Sequence, residues 1–210
     1  NLTAKTLGNL FEYAMNNKGL IQANQLVDNG GVFELVAQGA DVVNSGTFRS
    51  NKIDIDVTDG NFENAGEVNA DAVFFQSPNG GEIDIHADEI YQEGKISANA
   101  LENGKAGKVN IISKDLTVLA DGSTTEAKAL GEAGEGGEII INSTEGNTII
   151  EKKAVVNVSG GTNAGNAGYV ELSALEQLGL YGSVIGSAAS GYKKATVFID
   201  PRDIRIVDGG

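Results

Sequence analysis

The chain has 210 residues with 29 Gly, 2 Pro, one His and neither Cys nor Trp, and its Lys+Arg 15 against Asp+Glu 29 give a formal charge of -14. Absence of cysteine excludes a disulfide framework, a thiolate zinc site and a cysteine nucleophile together, and the negative surplus repels phosphate, which argues against duplex nucleic acid and anionic membranes as partners. With 40% hydrophobic residues the chain is not a disordered acidic tail, and no run approaches the roughly 18 apolar residues of a membrane span.

The chain opens at Asn1 without an initiator Met or a basic-then-apolar leader, so it reads as a piece of something larger. Residues 7–15 carry the one helical signal, about two turns long, which Asn16-Asn17-Lys18-Gly19 would stop. Lys18-Gly19-Leu20-Ile21-Gln22-Ala23 is the first copy of a Gly-centred motif that returns as Ser45-Gly46-Thr47-Phe48-Arg49-Ser50, Ala65-Gly66-Glu67-Val68-Asn69-Ala70 and Glu93-Gly94-Lys95-Ile96-Ser97-Ala98. Each copy predicts a short strand entered through a turn in which Gly or Asn takes a backbone conformation costly for other residues.

A second pattern begins with two small residues and then alternates. Gly30-Gly31-Val32-Phe33-Glu34-Leu35-Val36-Ala37 aligns with Gly80-Gly81-Glu82-Ile83-Asp84-Ile85-His86-Ala87 and with Ala167-Gly168-Tyr169-Val170-Glu171-Leu172-Ser173-Ala174. Weaker copies start at Gly107, Gly136 and Ala195. From Ile83 the spacing is 26 to Val109, then 30 to Ile139, 31 to Val170 and 27 to Val197. Alternation with period two places Ile83, Ile85 and Ala87 on one side of a strand and Glu82, Asp84 and His86 on the other. Gly-, Asn- and Ala-rich stretches at 98–107, 126–137 and 159–168 fall at matching phases and read as flexible loops of variable length.

Such short coils bury nothing alone, but stacked they share one apolar column. The expected fold is all-β, a right-handed parallel β-helix with variable loops over 1–210 as a single continuous segment. A β-sandwich is the competing architecture. At roughly 4.8 Å per coil, six or seven coils would make a rod on the order of 30–35 Å long.

The succession Gly137-Glu138-Ile139-Ile140-Ile141, Val155-Val156-Asn157-Val158-Ser159-Gly160-Gly161, Gly168-Tyr169-Val170-Glu171-Leu172-Ser173, Leu180-Tyr181-Gly182-Ser183-Val184 and Ala195-Thr196-Val197-Phe198-Ile199-Asp200-Pro201-Arg202-Asp203-Ile204 resembles the filamentous-haemagglutinin-like exoproteins of bacterial two-partner secretion. Residues 1–75 resemble the distal part of that family's secretion-type β-helix, and 76–210 its repeat coils ending in the Phe-Ile-Asp-Pro element. The NPNG-type motif that marks the start of the secretion domain is absent, since Pro78-Asn79-Gly80 alone is only a turn. The resemblance implies a large secreted or surface-displayed fibre protein with adhesive roles. Its implied partners are an outer-membrane transporter barrel during export and a host-cell, cell-surface glycan or protein receptor afterwards. Open ends of a β-helix add end-to-end self-association.

No catalytic residue, metal ligand or cofactor is expected, and the binding residues are left open. His86 beside Asp84 and Asp88 reads as an exposed surface histidine rather than part of a triad. The pairs Asp54/Asp56 and Glu82/Asp84 would suit a glycosidase or a calcium site, and read first as a solvated strand face. A polysaccharide-processing enzyme is the alternative function, disfavoured by a supply of only three arginines, Arg49, Arg202 and Arg205. Asp56, Asp59 and Asp71 could hold calcium loosely, and Asn1 and Asn142 head glycosylation sequons. Phe74-Phe75 and Phe198 require a covering loop for an outward ring, or else form part of a contact patch.

Overall fold

The structure, a computed structural model, describes residues 2–5, 13–17, 20–22, 32–73 and 77–202. Among these every regular element is a β-strand and every pairing between strands is parallel. The chain is a parallel β-solenoid with three faces.

The first face stacks Leu2–Lys5, Val32–Gln38, Lys52–Thr58, the first half of Glu82–Gln92, the first half of Lys108–Leu119, Glu138–Ser143, Tyr169–Ala174 and Thr196–Pro201. A register shift between Ala87 and Glu89 turns the long strand Glu82–Gln92 onto the second face. There its second half joins Tyr13–Asn17, Asp41–Asn44, Phe62–Asn64, Asn147–Ile150 and Leu178–Leu180. The third face holds Leu20–Gln22, Thr47–Arg49, Glu67–Asn69, Lys95–Ser97, Thr124–Glu126, Val155–Asn157 and Ser183–Ile185. Seven successive pairings along the first face, at roughly 4.8 Å each, give a rise on the order of 34 Å.

The predicted spacing is the register itself: Ile83 lies opposite Val109, Val109 opposite Ile139, Ile139 opposite Val170 and Val170 opposite Val197. Period-two alternation turns these side chains inward together with Leu35, Ile55, Ile85, Ile111, Ile141 and Leu172, all buried. Across the hollow, Phe33 of the first face stacks on Phe48 of the third with ring centroids 4.7 Å apart. Burial of these columns is the main favourable term of the fold. Lys52–Thr58 is a rung absent from the aligned copies, because Ser50-Asn51 replaces the small pair that marks the others.

Three expectations are corrected. Tyr13 to Met15, the end of the helical stretch, lies in a strand, and the rest of that stretch falls outside the described residues. Gly66 and Gly94 do not take positive φ. They are needed because a methyl on Gly66 would meet the carbonyl of Gly46, and one on Gly94 that of Gly66, so successive turns approach too closely for a side chain. Finally, the Gly- and Ala-rich loops are ordered lobes. Each closes on itself at a neck, where Gly107 donates to Ala98 O, Gly137 to Ala127 O and Gly168 to Val158 O, all at 2.8 Å. Each also bonds to the next lobe, as in Ala100 N to Lys128 O at 3.0 Å and Ala129 N to Ser159 O at 2.9 Å. Ala98, Ala100 and Ala127 are fully buried between the lobe walls. A thin lobe admits only such small side chains, which explains its composition.

Candidate functional site

Where the returning wall of the lobes meets the start of the first face, an open groove of about 740 Å³ runs along the solenoid axis from Asn51 to Tyr169. Its floor is backbone: Gly81, Gly107, Gly137 and Gly168 succeed one another rung by rung. A methyl on Gly107 would meet the carbonyl of Gly81, one on Gly137 that of Gly107, and one on Gly168 that of Gly137. The close stacking of rungs fixes these glycines, because the carbonyl of the rung before occupies the place of a side chain.

One wall is the outward column at the start of the first-face strands, namely Lys52, Glu82, Lys108, Glu138 and Tyr169. Charges alternate along it, and Lys52 pairs with Glu82 at 3.4 Å and Lys108 with Glu138 at 3.0 Å. The bond to Glu82 raises the pKa of Lys52, and that to Glu138 raises the pKa of Lys108, so both stay cationic. These half-exposed pairs add little stability. Lys105, Glu135 and Asn166 on the lobes form the opposite wall, with Lys105 in register with Glu135. The Tyr169 hydroxyl donates to Glu171 at 3.1 Å.

The residues singled out in the sequence lie mostly elsewhere. Asp54 and Asp84 are neighbours in an outward column that also contains Glu34 and Asn110, and Asn110 donates to Asp84. Partial desolvation, with Asp84 and Glu34 adding repulsion, raises the Asp54 pKa. Asp56 and the exposed His86 belong to the next outward column, in register with each other. Asp88 sits at the register shift within the strand Glu82–Gln92, its pKa raised chiefly by partial burial. Asp71 follows the third-face strand Glu67–Asn69, accepting from the Asn99 backbone amide at 2.6 Å, whereas Asp59 occupies a left-handed turn at φ 55 after the first face. The three aspartates are thus not brought together. Asn142 lies half-exposed on the first face. Phe74 and Phe75 fall outside the described residues, and Phe198 is 47% exposed, without the expected loop cover among the described residues.

Sequence reasoning missed the groove walls, although the signal was present. From Glu82 to Tyr169 the residue after each small pair is charged or aromatic, and in the last three of these rungs a polar lobe residue stands immediately before the same pair, as Lys105 precedes Ala106-Gly107, Glu135 precedes Gly136-Gly137 and Asn166 precedes Ala167-Gly168. A second missed feature is internal. Asn44, Asn64 and Gln92 are fully buried in one column, two residues before Gly46, Gly66 and Gly94 respectively. Their side-chain amides bond in series at 2.7 Å per step. Beyond Gln92 that column turns apolar with Leu119 and Ile150, and a hydroxyl ladder opens at another corner, where Ser113 meets Ser143 at 2.8 Å and Ser143 meets Thr148 at 2.9 Å. Comparison with known proteins returns no matching family model, no matching curated protein and no matching solved structure.

Proposed function

We propose that this chain is a structural and adhesive segment of a large secreted or surface-displayed bacterial fibre protein exported by two-partner secretion, serving as a rigid β-helical scaffold for cell contact. The observation that carries the reading is the unbroken parallel stack from Leu2–Lys5 to Thr196–Pro201. Because each rung bonds only to its neighbours, such a chain can leave a narrow transporter barrel unfolded and acquire structure one turn at a time. Having no cysteine, it needs no oxidant to complete its fold. Stiffness and display are then the work of the rod, and no residue performs turnover.

Cell fractionation tests the location. An antibody against the chain should label intact, unpermeabilised source cells or the medium, and loss of a transporter barrel encoded beside its gene should abolish that signal. Confinement to the cytoplasm would overturn the reading. Breakdown of a uronate or neutral polysaccharide by the purified chain, lost in Asp54→Asn or Asp84→Asn, would replace the scaffold with the enzyme alternative.

A further inference from the structure

We infer that the axial groove between the lobes and the first face is a binding site for an extended, uncharged, hydroxyl-rich glycan. The inference gives the attachment role proposed above its ligand class and rests on that role for its biological sense. Its geometry is independent of the export route.

Shape comes first. A volume of about 740 Å³ lies within the range of ligand-binding clefts, and it is drawn out over the rungs from Asn51 to Tyr169, four steps or roughly 19 Å. A ligand filling it is long and narrow and lies parallel to the axis.

Charge selects among such ligands. The protein carries -14 overall, yet the groove walls hold three lysines, Lys52, Lys105 and Lys108, against three glutamates, Glu82, Glu135 and Glu138. A polyanion or a polycation laid along this track would meet one repulsive group for each attractive one. Hydroxyls suit both kinds, since they donate to carboxylates and accept from ammonium groups.

The floor decides against a peptide. Strand addition needs free backbone donors and acceptors, but the floor's amides are already committed. Gly107 N bonds to Ala98 O, Lys108 N to Gly81 O, Gly137 N to Ala127 O and Glu138 N to Gly107 O, at distances between 2.8 and 3.0 Å. Recognition therefore falls to the side-chain walls and to Tyr169 at the end of the track, whose amphipathic ring offers an apolar platform for the C–H face of a sugar.

Titration calorimetry on the purified full chain tests this with soluble β-glucan, mannan and xylan fragments several sugars long, alongside heparin and polylysine. At least one neutral fragment should bind with little dependence on salt. Tyr169→Ala and Lys105→Ala should each weaken it about tenfold or more, while Glu145→Gln, on a turn remote from the groove, leaves it unchanged. If Tyr169→Ala also lowers the thermal midpoint, Lys105→Ala on the exposed lobe carries the comparison. The inference is overturned if no neutral fragment binds, if only heparin or polylysine binds, or if neutral binding persists in both groove variants. A chain found outside cells that binds no neutral glycan would leave the scaffold standing and remove the groove, and the reverse pair of results would do the opposite.

Discussion

Asn64 donates its side-chain amide to Gln92 Oε1 at 2.7 Å inside the solenoid, and accepts at the same distance from Asn44 on its other side. All three residues are fully buried. A buried amide without a partner costs its full desolvation, so the series is favourable only when complete. Asn64→Leu strands the Gln92 acceptor and removes a partner from Asn44, and should lower stability by about 2–4 kcal/mol. Replacing Asn44, Asn64 and Gln92 together by leucine should cost less than the sum of the single changes, because no side-chain amide of the series is then left facing an apolar neighbour. Urea unfolding of the parent, the three single variants and the triple variant measures both effects, and strict additivity would contradict the ladder.

Gly137 and Gly122 separate two reasons for glycine. A methyl on Gly137 would collide with the carbonyl of Gly107 and with the Ala106 backbone, although its φ is unexceptional. Gly122 has φ +88 with open space around it. Gly137→Ala must push two rungs apart and should destabilise by about 3 kcal/mol, whereas Gly122→Ala meets only left-handed backbone strain of about 1 kcal/mol. Equal losses in thermal denaturation would show that close approach is not what fixes Gly137.

Much of this architecture was legible because a stacked rung repeats its apolar phase regardless of loop length. The distance from Ile83 to Val109 and onward to Val197 could be read directly as register. Lys52–Thr58 was harder, since its entry lacks the small pair. The lobes were misread for a physical reason: Gly and Ala mark flexible loops and thin, tightly stacked walls equally well, and only the partner rung distinguishes them, as when Ala100 bonds to Lys128 O. The groove was overlooked for a different reason. Lys105 and Lys108 flank Ala106-Gly107 as Glu135 and Glu138 flank Gly136-Gly137, so its walls stand in the sequence, but the shared floor comes only from the stacking of one small pair on the next and from the neck bonds at Gly107 and Gly137.

Thr125 occupies an inward column between Ile96 and Val156, and its buried hydroxyl has no partner. Valine has nearly the same shape without the polar atom. Thr125→Val should therefore stabilise the protein by about 1 kcal/mol. Thr148 is the contrasting case, since its equally buried hydroxyl donates to Ser173 O at 2.9 Å and meets Ser143 at 2.9 Å. Thr148→Val should cost about 1–2 kcal/mol. Opposite shifts of the urea midpoint are expected, and a loss at both positions would refute the assignment of Thr125 as an unpaired group.

Asp54 gives stability a pH dependence of definite sign. Desolvation and then the neighbouring Asp84 and Glu34 raise its pKa above 3.8, with His86 and Lys52 opposing in part. The folded protein thus holds this proton more tightly than the unfolded chain does. Stability from Asp54 is greatest below pH 3.8, falls as pH rises toward the folded pKa, and stays at a constant deficit above it. Asp54→Asn removes the deficit, so its thermal midpoint should exceed that of the parent at pH 7 and match it near pH 3. Salt should narrow the difference at pH 7 without closing it, because screening weakens the repulsion from Asp84 and Glu34 but not the desolvation. A gain at pH 3 as large as that at pH 7 would mean the benefit comes from packing or hydrogen bonding of the new amide rather than from the lost charge.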